Sequence, residues 1–228
     1  MAQRPVFIPV LQRPFVEERS IEFVWHKGMA PSQKKKNIKA LHESAAQRGL
    51  DPLLEISTKS ESHLGQTLSA FNLKVSVMDM GLVPLECAFQ GSKVFEDGGP
   101  FTDLLSADVR DAKRDPRLRE SGAIVGFRLG RMDFPSRPKT AFYDWLYLRA
   151  IARVSEFESE IDHFDGFTDI EFNPQKSLNC QARSCALCAS LLRQGLLQEC
   201  RESPRRFLEV VSPEGSKIPS LDERGLFE

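Results

Sequence analysis

The stretch Leu85-Glu-Cys-Ala-Phe-Gln-Gly-Ser-Lys-Val-Phe-Glu96 governs how this chain is read. Spaced four and then three residues apart, Glu86, Gln90 and Lys93 would share one face of a helix, setting a carboxylate, an amide and an amine side by side. A carboxylate holds or moves a proton, an amine of depressed pKa is a nucleophile, and an amide orients a sugar hydroxyl. On spacing alone, a Glu and a Lys so placed are more often a solvated ion pair. Upstream, Phe71, Leu73, Val75 and Val77 alternate with other residues, which predicts a strand over 69–78 closed by the turn Asp79-Met-Gly81. The motif helix is expected from about Pro84, where a missing N–H costs little, to Gly98-Gly99-Pro100.

Working outward, residues 6–11 and 19–25 read as extended, with Ile21, Phe23 and Trp25 alternating. A helix opens at Pro31-Ser32, with Ile38, Leu41 and Ala45 as its apolar stripe, Ser32 as N-cap and Gly49 as C-cap. Leu53 begins a short strand over 53–57. Toward the C-terminus the pattern predicts a helix over 106–114 stopped by Pro116, a strand over 124–129, a helix over 138–156 and a short one over 156–164. Residues 167–178 read as irregular, 179–199 as one helix, and 204–211 as another. Helices outnumber strands, so the expected class is α+β, a mainly helical single domain with a small β-sheet. The expected organisation is an N-terminal extension over 1–60 packed on the core, a catalytic core over 61–211, and a flexible tail over 212–228.

At 228 residues and 41% hydrophobic, the chain suffices for one well-buried core. With 31 basic and 32 acidic residues the net charge is -1, so no global field draws nucleic acid, and any such contact needs a local patch. Lys34, Lys35 and Lys36, with Lys39, form one candidate, and the mixed segment 110–119 is another; a solvated helix face is the ordinary reading of each. Five cysteines behind a start, Met1-Ala-Gln-Arg-Pro5, that lacks a signal-peptide pattern imply a reducing cytosol. No apolar run is long enough to span a bilayer. Cys180, Cys185 and Cys188 sit in an apolar helical run with no second ligand cluster, and the histidines at 26, 42, 63 and 163 lack zinc-like spacing. Neither a metal nor a cofactor is expected, and His42 reads as structural.

Ser69-Ala-Phe-Asn-Leu73, followed by a strand and by Glu86-Cys-Ala-Phe-Gln-Gly-Ser-Lys-Val-Phe95, resembles the opening of the NADAR family. In the same order, Asp108 to Pro116 resembles that family's basic segment, Asp169-Ile-Glu-Phe172 its D-x-x-W, and Asn179-Cys-Gln-Ala-Arg183 its N-x-L-G-R helix start. Pro5-Val-Phe-Ile-Pro9, Ser32 through His42, Lys139 through Tyr147 and Phe167 through Pro174 are similar to the narrower subgroup encoded beside DarT-type ADP-ribosyltransferase toxins. The resemblance implies a cytoplasmic antidote that removes ADP-ribose from guanine bases of nucleic acid, DNA being the expected polymer. The toxin would be a functional partner, with no physical contact implied.

Breaking an N-glycosidic bond develops oxocarbenium character on the ribose, which a nearby carboxylate stabilises. Glu86 is the candidate for that role. Lys93 is the candidate nucleophile at C1, with phosphate ligand and salt-bridge partner as its alternatives. Asp169 would orient a ribose hydroxyl or a water. Asn179 and Arg183 are placed to meet the diphosphate, while Ser69, Asn72, Gln90, Phe134 and Phe172 are assigned to the pocket and Phe71 to the core. Phe134 and Phe172 stand where many members carry tryptophan, so stacking survives and an indole donor is lost. Two other readings stay open: an N-glycosidase for a small ribosylated metabolite of the riboflavin-pathway type, and a non-catalytic antitoxin that binds modified bases. A run of three lysines favours a larger, anionic substrate over the first, and a binder has no need of the proton-transfer groups Glu86, Lys93 and Asp169.

Overall fold

The computed structural model describes residues 1–175 and 177–213. In chain order the elements are β1 (Ala2–Pro9), β2 (Val16–Phe23), α1 (Pro31–Ala46), β3 (Leu53–Glu55), α2 (His63–Thr67), β4 (Lys74–Val77), β5 (Gly81–Pro84), α3 (Leu85–Gly91) and β6 (Lys93–Phe95). After a 3-10 turn at Thr102–Ser106 come α4 (Val109–Arg114), α5 (Arg117–Glu120), β7 (Ile124–Leu129), β8 (Met132–Pro135), α6 (Ala141–Ile151) and α7 (Phe157–Glu160). A second 3-10 turn at Ile161–His163 leads to β9 (Gly166–Thr168), α8 (Gln181–Arg193), α9 (Leu197–Glu202) and α10 (Pro204–Val211). The class is α+β. Two compact units divide the chain out of sequence order, one made of Met1–Ser69 and Ile151–Gln198, the other of Ala70–Ala150 and the residues from Glu199 onward.

In the first unit a four-stranded sheet runs in the order β2-β1-β9-β3. β1 and β2 form a long antiparallel hairpin, while β9 inserts beside β1 and pairs in parallel with β3. The strand period of two sets Val6 and Ile8 on the face that meets Ile38 and Leu41 of α1, and turns Phe7 to the opposite face. Helix α8 packs on β1, β2 and β9. Gly166 suits the close approach where β9 enters, since a Cβ there would lie 3.0 Å from Val6 Cγ1 and 3.1 Å from the Phe7 carbonyl oxygen.

In the second unit β6-β7-β8 form a three-stranded sheet and β4-β5 a hairpin. Phe127 of β7 stacks on Phe142 of α6 with ring centroids 4.4 Å apart, and Phe89, Phe134, Tyr143 and Trp145 extend the aromatic core. The motif helix α3 is buried along its whole length and packs on α4 and the turn at Thr102–Ser106.

Several expectations change. The motif helix stops at Gly91 with Ser92 as its C-cap, so Lys93 opens a strand instead of ending a helix face. A Cβ on Gly91 would press to within 3.1 to 3.2 Å of the Leu105 side chain and the Phe101 carbonyl oxygen, which fits the helix end tightly into the fold. The strand expected over 69–78 keeps only Lys74–Val77, and Phe71, expected in the core, is 47% exposed under the Lys113 amine. Ser32 does not cap α1: Pro31 takes the first turn behind Ala30, and Gln47 is the C-cap. The long C-terminal helix breaks at Gly195, whose φ of +69 ends α8 before α9 begins. One small sheet was expected; the described strands form three, and β9 occupies ground read as irregular. The tail beyond Pro213 lies outside the described residues.

Candidate active site

Helix α3 carries Glu86 in its first turn and Gln90 in its last, both buried, and β6 begins two residues later with Lys93. Lys93 Nζ donates to Gln90 Oε1 at 2.6 Å and lies 4.7 Å from the centroid of the Phe89 ring. Two features hold Lys93 in place. Its backbone pairs with Phe127 of β7, and its carbonyl oxygen sits where a Cβ on Gly99 would come within 2.3 Å. Gly99 also has φ +80, so glycine is needed there for space and for conformation. Glu86, 7% exposed, is joined by the Lys113 amine of α4 at 3.3 Å from Oε2.

Burial drives the Lys93 amine down from its usual range to about 8; the Glu86 carboxylate opposes that shift and the Lys113 cation adds to it. An amine in that condition is partly neutral near neutral pH, the state a nucleophile needs. The Glu86 carboxylate, which acts on that amine electrostatically, is a group that can steady positive charge.

The first unit holds a second constellation. Asp169, almost fully buried, follows the end of β9 and accepts from the Gln181 side-chain amide at 2.9 Å and from the Glu171 backbone N–H at 3.0 Å. Gln181 in turn accepts from the Ser69 hydroxyl at 3.3 Å, so Ser69 and Asp169 are joined through a residue that the motif comparison passed over. Burial first, and then the neighbouring Glu55 carboxyl, raise the Asp169 carboxyl to about 7. Glu55 is itself shifted upward, chiefly by burial. His42 Nε2 lies 2.8 Å from Thr168 Oγ1, and burial pushes its ring down to about 4, keeping it neutral.

The remaining predicted residues fall in varied settings. Phe134 is 2% exposed inside the aromatic core, whereas Phe172 is half-buried and meets Phe7 edge-on at 6.2 Å. Asn72 is exposed; Asn179 and Arg183 are half-buried at the start of α8, with Asn179 Oδ1 lacking a hydrogen-bond partner among the described residues. The three lysines have different settings: Lys34 pairs with Glu171, Lys35 lies on the wall of a cavity of about 600 Å³ that also includes Lys39, His42 and Glu55, and Lys36 is exposed. Cys180, Cys185 and Cys188 are buried thiols in no disulfide. Among the described residues no helix is long and apolar enough to cross a membrane.

Sequence reasoning missed Lys113, Gln181, Glu55 and Thr168. Lys113 lies in a segment that reads as a solvated helix face and resembles the family's basic segment, with no role given to this lysine singly. An acid at 55 inside the apolar run Leu53-Leu-Glu-Ile56 was the one available signal, because a charge at a central strand position needs partners.

A family model described as the DarT1-associated NADAR antitoxin matches residues 2–219. No curated protein matches the chain.

Proposed function

We propose, because this chain belongs to the DarT1-associated NADAR antitoxin family, that it is an ADP-ribosyl glycohydrolase that frees guanine bases of nucleic acid from ADP-ribose. The observation that carries the reading is the Lys93 amine, lowered to about 8, bonded to Gln90 and within the electrostatic reach of the Glu86 carboxylate. In the proposed reaction the neutral amine attacks ribose C1, the bond from C1 to the base nitrogen breaks, and the base leaves with a proton. The ribose ring then opens as the new C–N bond becomes an imine. Water adds to that imine, releasing ADP-ribose and restoring the amine. Glu86 faces the positive charge that builds on the ribose as the base departs. Asp169, protonated for part of the time near neutrality, is proposed to orient a ribose hydroxyl or the hydrolytic water. Action in the cytoplasm against a DNA-modifying toxin belongs to the same proposal.

The test is reduction with borohydride during turnover of an oligonucleotide carrying ADP-ribosyl-guanine. An adduct on the peptide containing Lys93, absent from Lys93→Arg, is the expected result, since a guanidinium stays protonated. Glu86→Gln should fold normally and lose about a hundredfold or more in rate. Full turnover with no adduct at any lysine would replace the imine route by direct attack of water and remove Lys93 as nucleophile.

A further inference from the structure

We propose that Glu55 is the positioning residue for Asp169, its buried carboxyl gripping the two chain neighbours of that acid, Thr168 and Ile170. The inference rests on the reading of Asp169 as a working acid. Strand β3 pairs in parallel with β9, Glu55 opposite Thr168, and the pairing ends there. Just past that end the chain must turn, and the N–H of Ile170 no longer has a strand partner. Glu55 Oε1 accepts from it at 2.9 Å, while Oε2 accepts from the Thr168 hydroxyl at 2.7 Å. With 168 and 170 held by one side chain, the residue between them is directed away from it. There the Asp169 carboxyl meets Gln181.

A carboxyl suits this task because both of its oxygens accept, whereas an amide offers one acceptor. Glu55 is 2% exposed, an expensive place for an acid that serves only packing. The grip is braced from two sides. Thr168 Oγ1 is also bonded to His42 of α1, and the carbonyl oxygen of Glu55 is so close under α2 that a Cβ on Gly65 would come within 2.2 Å of it.

The groups acting on Asp169 are Glu55 from β3, Arg4 from β1, and Glu171, Gln181 and Cys180 from its own segment and the start of α8, with Lys34 of α1 paired to Glu171. Around Glu55 stand Ser57, Thr168, His42 and Glu171, with Asp51 near His42. Removing the Glu55 carboxyl therefore withdraws a negative neighbour from Asp169 and allows it to ionise at lower pH.

Glu55→Gln is the informative variant. Its amide oxygen keeps the Ile170 bond, and its N–H can donate to Thr168 Oγ1, whose hydroxyl then turns to donate to His42 Nε2. In the full chain, the Asp169 carboxyl is titrated by carbon-13 NMR, with Asp169→Asn assigning the signal, and kcat and KM are measured on the modified oligonucleotide. Glu55→Gln should lower the Asp169 midpoint by about half a unit or more and reduce kcat about tenfold with KM within about twofold. Thr168→Val, which removes one arm of the grip and keeps the Glu55 carboxyl, should also lower kcat and serves if Glu55→Gln fails to fold. An unchanged midpoint with unchanged kcat in folded Glu55→Gln, or unchanged kcat in Thr168→Val, overturns the proposal. Full turnover by Asp169→Asn would instead refute the role given to Asp169 itself; the Asp169 signal in Glu55→Gln then decides alone whether Glu55 sets that side chain.

Discussion

Replacing Lys113 by Gln should slow the protein at pH 7 and leave it nearly unimpaired at high pH. Lys93 is held at about 8. At pH 7 about one amine in ten is therefore neutral, against about one in three thousand for an unperturbed lysine, a gain of roughly three hundredfold in nucleophile. Burial supplies most of that depression, and Lys113 supplies part. Its amine lies 3.3 Å from Glu86 Oε2, so it also occupies the carboxylate that would otherwise stabilise a charged Lys93. Both effects of the substitution have the same sign: a cation that disfavours a second cation is lost, and Glu86 is released to favour it. The Lys113 side chain is 41% exposed, so solvent screens the interaction, and the expected rise in the Lys93 midpoint is about half to one unit. That corresponds to a loss of about three- to tenfold in rate at pH 7, recovered as the pH approaches 10. The assay is the pH dependence of kcat/KM beside that of borohydride trapping at Lys93, from pH 6 to 10. Lys113→Arg keeps the charge and should keep the midpoint. A midpoint in Lys113→Gln that stays put or falls would refute the electrostatic account of Lys93.

Lys93→Met should abolish trapping and yet stabilise the fold near neutrality. The folded pKa lies below the unfolded one, so keeping the amine charged inside the fold is a penalty, present below about 8 and gone above about 10.5, worth about 1 to 3 kcal/mol at pH 7. Thermal melts at pH 7 and pH 10.5 check it, and equal shifts at both would show that packing, not charge, is responsible. Lys34, Lys35 and Lys36 changed together to Gln should weaken binding to modified oligonucleotide and flatten its salt dependence, each phosphate contact contributing about 0.7 to 0.9 to the slope. Because Lys34 is paired with Glu171, the Lys35 and Lys36 double variant should account for nearly all of that change. Hydrolysis of free ADP-ribosyl-guanosine should barely respond; an equal loss on the small substrate would move one of these lysines into the catalytic pocket.

Local pattern was legible wherever one element could bury its own stripe. Ile38, Leu41 and Ala45 marked the buried face of α1, and strand β7 and helix α10 occupy the expected residues, because period and flanking turn residues are local properties. What could not be read is what partners supply from far along the chain. Strand β9 is three residues long and owes its existence to β1 and β3, more than a hundred positions upstream, so no period announces it. The bonds from Glu55 to Thr168 and Ile170 cross the same distance, and an isolated acid in a short apolar run gives no hint of which backbone will need it. Lys93 shows how both kinds of information meet. Spacing paired Gln90 with Lys93 on the premise of a continuous helix, and that premise fails at Gly91. The contact survives because a chain leaving a helix end into a strand still keeps a residue three positions on within reach of a lysine stem, so the hydrogen bond tolerates either backbone. The depressed pKa has no such tolerance. It depends on β6 being drawn into the sheet with β7, on Gly99 permitting the close turn beneath it, and on Lys113 arriving from another helix, so the residue is written locally and the lowering of its pKa is set by the packing of the unit around it.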